Sequence, residues 1–277
     1  MSYRSVMVYA DEGLDSDTRV TLACDLATRF DAHLIGVSGS APVPPPVGDP
    51  YMGGGVLGEA LTLYLDLAES NVQRALTRFH EVVGGQFEDC EWRGRVGFPA
   101  DILIAESRAA DLVILGRRTD RTPFYTPDPA DVLMGVGRPV LIVPPGSGRT
   151  PVDWPAVVAW SDSREARRAV AAALPMLRQT EKVHVVEICD GDETGDAQTR
   201  VDDVAAWLKR HDIDAVGEVS PRDHDSTAAA ILEFTASRKA GLIVAGGYGH
   251  ARIREWVLGG VTRDLLADSP VCLLLSH

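Results

Sequence analysis

The feature that most constrains the fold of this 277-residue chain is that its sequence is laid out twice. Leu112-Val113-Ile114-Leu115-Gly116 corresponds to Leu242-Ile243-Val244-Ala245-Gly246, with Gly116 and Gly246 130 residues apart. Pro139, in Arg138-Pro139-Val140-Leu141-Ile142-Val143, lies 131 residues before Pro270, in Ser269-Pro270-Val271-Cys272-Leu273-Leu274. At the front, Met7-Val8-Tyr9-Ala10-Asp11 matches Val157-Val158-Ala159-Trp160-Ser161, 150 residues on. The shrinking offset is expected from one insertion in the first copy, the proline- and glycine-rich stretch from Ala41 to Val56, which reads equally as a lid and as a passive connector. Repetition at this length implies two like domains, each large enough for its own core.

Within each copy, short apolar runs alternate with segments of helical period. In the first copy, strands are expected near 4–10, 32–39, 88–95, 111–116 and 139–144, with helices near 15–30, 57–84, 99–108 and 129–136. The second copy repeats the order, with strands at 156–160, 182–188, 214–219, 241–245 and 270–275. Its helices are expected at 164–178, 197–211, 226–238 and 260–267. Pro144-Pro145-Gly146-Ser147-Gly148 separates the copies, giving domains 1–146 and 152–277. The fold class is therefore α/β: two tandem doubly wound domains, each a five-stranded mainly parallel sheet with helices on both faces and ligands beyond the carboxyl ends of the strands.

Composition removes several function classes. The net charge of −13 is shared by both copies, with 13 basic and 20 acidic side chains up to residue 150 and 14 and 20 after it. Such a field disfavours nucleic acid and anionic membranes, though a local glycine cradle can still hold one small anion. Cys24, Cys90, Cys189 and Cys272 form no C-x-x-C pair and read as core thiols. No basic, apolar and small-residue leader opens the chain, and no apolar run nears the roughly 18 residues of a membrane span, so a cytoplasmic location is expected. Catalytic signatures are missing too: there is no G-x-S-x-G, no H-E-x-x-H and no G-x-x-x-x-G-K-[ST]. None of the three lysines, Lys182, Lys209 and Lys239, follows a glycine loop.

The chemistry-bearing segment is Ala245-Gly246-Gly247-Tyr248-Gly249-His250, leading to Leu258-Gly259-Gly260-Val261-Thr262. It follows an apolar strand and precedes a helix. Glycines there let backbone N–H groups approach an anion, with the helix dipole behind them. The plainer reading is a tight turn with His250 merely exposed and with Trp160 and Trp256 packed against neighbours. His184 reads as a strand-face residue with no second metal ligand at suitable spacing.

With its two copies and this loop, the chain resembles a tandem universal stress protein, whose nucleotide pattern is G-x-x-G, nine residues, then G followed by Ser or Thr. Gly246, Gly249 and Gly259 match that spacing, Gly260 stands where the hydroxyl residue belongs, and Thr262 matches a hydroxyl often found two positions on. The resemblance implies an adenine nucleotide such as ATP, with or without magnesium, held by Gly246, Gly249, His250, Gly259, Gly260, Val261 and Thr262, with Ser161 and Val185 near the nucleoside. Ser161 replaces the family's strand-end Asp, and Asp162 beside it is expected to point elsewhere.

The first copy keeps Asp11 but has Gly116-Arg117-Arg118-Thr119 and Asp128-Pro129 in place of the glycines, so its cradle reads as lost. The resemblance also implies pairing of the two closing strands in an internal pseudo-dimer, with or without a further homodimer. The function expected is nucleotide binding in stress adaptation, with no assignable catalytic residue and at most slow hydrolysis. The alternative is a nucleotide-independent interaction protein of the same fold.

Overall fold

A computed structural model of the chain describes residues 2–43, 54–87, 90–117, 124–148, 150–222, 226–248 and 260–277. They fall into two compact units, residues 4–136 and residues 137–277 with the first three residues.

The N-terminal unit runs β1 (Ser5–Tyr9), α1 (Leu14–Phe30), β2 (His33–Ser40), α2 (Gly54–Val83), β3 (Cys90–Val96), α3 (Pro99–Glu106), β4 (Leu112–Gly116) and α4 (Pro129–Val136). Its strands lie in the order β3-β2-β1-β4 and the pairs in register are parallel, for example Val8 with Gly36 and with Ile114. The reason is legible in the strands: Val6, Met7, Val8, Leu112, Val113 and Ile114 are all fully buried, as strands covered on both faces must be.

The C-terminal unit holds β5 (Val140–Val143), β6 (Ala156–Ala159), α5 (Arg164–Leu177), β7 (Val183–Cys189), α6 (Thr194–Lys209), β8 (Ala215–Pro221), α7 (Thr227–Ser237), β9 (Leu242–Gly246), α8 (Gly260–Asp268) and β10 (Cys272–Ser276). Its order is β5-β10-β9-β6-β7-β8, parallel except for β5, which runs antiparallel to β10 with Ile142 opposite Leu273. The expected pairing of the closing strands is thus present. It also separates repeat from packing: β5 belongs to the first repeat by sequence and to the second unit by contact.

The local signals act as their chemistry requires. Ser163 and Ser226 cap α5 and α7, accepting from the N–H groups of Ala166 and Ala229. Asp31 adopts the left-handed conformation (φ 51°) that ends α1.

Much of the extra length of the first copy is helix, in line with the long helix expected near 57–84 against 197–211 in the second copy. α2 has 30 residues and its counterpart α6 has 16, so more than half of the surplus is added helix rather than loop. The described part of the proline- and glycine-rich segment stops at residue 43 and resumes at Gly54 as the first turn of α2. The lid and connector readings of its middle lie outside the described residues.

All four cysteines are free thiols, and burial pushes Cys24 up to about 11 and Cys272 up to about 12. Among the described residues no helix is long and apolar enough to cross a membrane, and no three acidic, histidine or cysteine side chains group as metal ligands.

Candidate functional site

In the C-terminal unit the carboxyl ends of β6 and β9 lie side by side, Ala159 opposite Ala245, and the loop after Gly246 leaves from there. Gly246 is required by packing: a Cβ at this position would stand 2.6 Å from the backbone nitrogen of Ala166 and 2.8 Å from the carbonyl carbon of Glu165, in the first turn of α5. The glycine lets helix and strand end meet.

The next two residues are tied to the protein itself. The Gly247 N–H donates to the Ser276 carbonyl at 2.9 Å, and His277 Nδ1 lies 3.1 Å from the Gly247 carbonyl. Arg168 in turn donates to the His277 carbonyl at 3.3 Å. Tyr248, buried and left-handed (φ 57°), donates its N–H to Thr262 Oγ1 at 3.3 Å. Thr262, only 6% exposed, therefore fastens the start of α8 to the loop after β9 as an acceptor. Among the described residues, the donors this arrangement leaves for an anion are the N–H groups at the start of α8, which a helix does not satisfy from its own interior. Gly260 and Val261 there are exposed, and nothing lies within 4 Å of where a Cβ on Gly260 would be.

Gly249, His250 and Gly259, together with Trp256, lie outside the described residues. Ser161 is exposed beyond β6, its Oγ 3.2 Å from that of Ser163, and its neighbour Asp162 is turned to Arg167 in an ion pair. Val185 is fully buried, in register with Val158 and Gly217. Level with the end of β6 is Val186, whose carbonyl takes the Trp160 N–H at 2.8 Å. Among the described residues the buried Trp160 indole Nε1 has no hydrogen-bond partner, and it is a donor that neither spacing nor periodicity reveals.

The first repeat answers the same positions with its own side chains. Arg19, 4% exposed, donates through Nε to the Tyr9 carbonyl at 2.6 Å and through Nη2 to Asp11 at 2.9 Å. Its Nη1 stands 2.4 Å from where a Cβ on Gly116 would be, so the arginine fills the corner at the end of β4. Asp11 also accepts from the Gly13 N–H. Asp128 caps α4, taking the Ala130 N–H at 2.9 Å, and puts a carboxylate where an anion would otherwise sit. Arg19 and Asp128 thus occupy the positions at which the sequence reads the cradle as lost; Arg118 is outside the described residues.

A cleft of about 390 Å³ remains beside this corner, lined by Asp11, Glu12, Ser40, Asn71, Tyr125 and Thr126 among others. Glu12 is hydrogen-bonded by Arg74, which holds its carboxyl below the usual range. Tyr9 is buried beneath, its hydroxyl within hydrogen-bond distance of the Gly39 and Tyr125 carbonyls, and burial holds it protonated. Sequence reasoning gives no signal for this cleft, because α2, β2 and the approach to α4 meet only in the fold.

His184 sits on the strand face expected for it, in a charge cluster. Its Nδ1 is 2.5 Å from Glu218 Oε1, and Glu218 also pairs with Arg238, which stacks on Phe234 at 4.7 Å.

With this geometry in hand, comparison with known proteins is informative. A family model described as the universal stress protein family matches residues 2–126 and 155–277. No curated protein matches the chain. Among solved structures, a universal stress protein from Archaeoglobus fulgidus DSM 4304 is 16% identical with a TM-score of 0.75, over 98% of this chain and 96% of its own. One described as a putative universal stress protein from Pseudomonas aeruginosa UCBPP-PA14 is 15% identical with a TM-score of 0.58, over 99% and 93%. At these identities the likeness is one of fold.

Proposed function

Because the chain belongs to the universal stress protein family, we propose that its C-terminal repeat binds an adenine nucleotide and that the protein acts through that binding in stress adaptation. The observation that carries this reading is the loop: Gly246, Gly249 and Gly259 keep the family's spacing, and the described helix that follows begins with two exposed residues, Gly260 and Val261. Phosphate oxygens would be held by the N–H groups of Gly260, Val261 and Thr262, where the helix dipole favours an anion. The Thr262 hydroxyl would donate as well. The loop amides of Gly247 and Tyr248 are engaged internally, so the helix start carries more of the anion than the loop does. Ser161 stands at the nucleoside side, Trp160 Nε1 supplies an unsatisfied donor nearby, and His250 flanks the phosphates in sequence. Magnesium, where it accompanies the nucleotide, would be held chiefly by phosphate oxygens.

The first repeat, filled by Arg19 and capped by Asp128, is assigned no nucleotide. No residue is assigned to hydrolysis.

The test is direct. Protein purified without added ligand is denatured and the supernatant analysed by mass spectrometry, and ATP binding is followed by calorimetry. Gly260→Asp serves as the paired variant, since a carboxylate in the first turn favours the helix and repels phosphate. Nucleotide bound by the parent and lost in the variant is the expected result. No nucleotide in the parent, with no calorimetric binding, would replace this reading by a nucleotide-independent interaction protein.

A further inference from the structure

α2 is a helix of two unlike halves. From Ala68 onward it packs as its sequence dictates, with Ala68, Ala75, Phe79 and Val83 each 1% exposed. Over this half the flanking positions are charged and tied to the body: Arg74 to Glu12, and Arg78 to Asp17. Among the described residues the first half has no such partners. Leu61, Leu63, Leu65 and Leu67 are 49, 58, 39 and 47% exposed, four large apolar side chains in water within seven residues.

At 100° per residue, Leu61 and Leu65 continue the packed stripe beyond the body, while Leu63 and Leu67 fall where Arg74 and Arg78 stand in the packed half. Together with Ala60 and Tyr64 they make an apolar arc of about 200°, wider than an ordinary surface helix carries. α6, the counterpart in the second repeat, buries Ala197, Val201, Ala205 and Leu208 and has no large exposed apolar side chain. The exposed stripe therefore belongs to the extension, not to the fold.

The charge on the remaining arc selects the occupant. Glu59, Asp66 and Glu69 are its ionisable groups, and no Lys, Arg or His occurs between residue 54 and Arg74. Two copies of this helix laid together would set acid against acid, in a chain already at −13. We propose that the first half of α2 is a docking site for an amphipathic helix of another protein, one whose apolar stripe is bordered by lysine or arginine. Such a helix would cover the leucines and meet the three carboxylates at its edges, a helix-against-apolar-face mode.

The experiment uses the full-length protein and a fluorescent 14-residue helical peptide with leucine along one face and lysine at its borders, followed by anisotropy. Binding is expected, weakened at least tenfold by Leu63→Ser/Leu67→Ser, which leaves the charge unchanged. It is also expected to weaken several-fold in Glu59→Gln/Asp66→Asn/Glu69→Gln. Circular dichroism should show both variants folded, since every altered side chain is on the surface.

Equal binding by the leucine variant would overturn the proposal, as would equal binding of a peptide with glutamate in place of lysine. Light scattering that finds a dimer, dissociated by the leucine variant, would hand the face to a second copy. Sedimentation with phosphatidylcholine vesicles, lost in that variant, would hand it to a membrane.

Discussion

At the residue scale, Gly246 and Gly260 illustrate two different reasons for a glycine. Gly246 is demanded by the backbone of α5, and a methyl there would meet the Ala166 nitrogen and the Glu165 carbonyl carbon. Gly246→Ala should lower unfolding stability by about 1–3 kcal/mol, read from urea denaturation, because backbone atoms cannot move aside as a flexible side chain would. Gly260 faces open space. Gly260→Ser should leave stability unchanged or slightly raised and, if the phosphate lies at this helix start, tighten ATP binding about tenfold, since a hydrogen bond to a charged group contributes about 1.5 kcal/mol. An unchanged affinity in calorimetry would detach the phosphate from α8.

At the element scale, β7, β8 and α7 are joined by a polar cluster. Burial would raise the Glu218 carboxyl, but the hydrogen bonds and charges of Arg238 and His184 outweigh it and hold it below its ordinary value of 4.5. A carboxylate lowered in the folded state contributes stability that is present above its unfolded pKa and is lost as pH falls through the folded one. The stability gap between the parent and Glu218→Gln should therefore be full near neutral pH and close as the solution is acidified below about pH 4.5. A gap independent of pH in thermal denaturation would show that the cluster acts through packing alone. In the N-terminal unit, α2 shows the opposite behaviour of an element: its sequence continues the apolar stripe past the point where the body ends, and burial fails to follow.

At the scale of the molecule, the sequence repeat and the compact unit do not share a boundary. β10 is buried along its whole length and has β9 on one side and β5 on the other. A fragment of residues 152–277 would leave that apolar edge open, so it should self-associate in light scattering at micromolar concentrations. Monomeric behaviour of that fragment would show that the β5 pairing is not what protects the edge.

Much of this protein is determined by its sequence alone. The two-fold layout, the alternation of strands and helices, the parallel sheets and the glycine spacing after β9 are all local patterns, set by hydrophobic period, capping residues and glycine. Tertiary structure decided what local pattern cannot carry. Arg19 reaching Gly116 and the internal use of the Gly247 and Tyr248 amides are contacts between separate segments of the chain, whereas the Asp128 cap on α4 is local, two residues from its donor. The register that pairs Val185 with Val158 and Gly217 was likewise fixed only by the assembled sheet. The exposure of the α2 leucines was equally hidden, since a helical period states which side chains share a face but not whether anything lies against it.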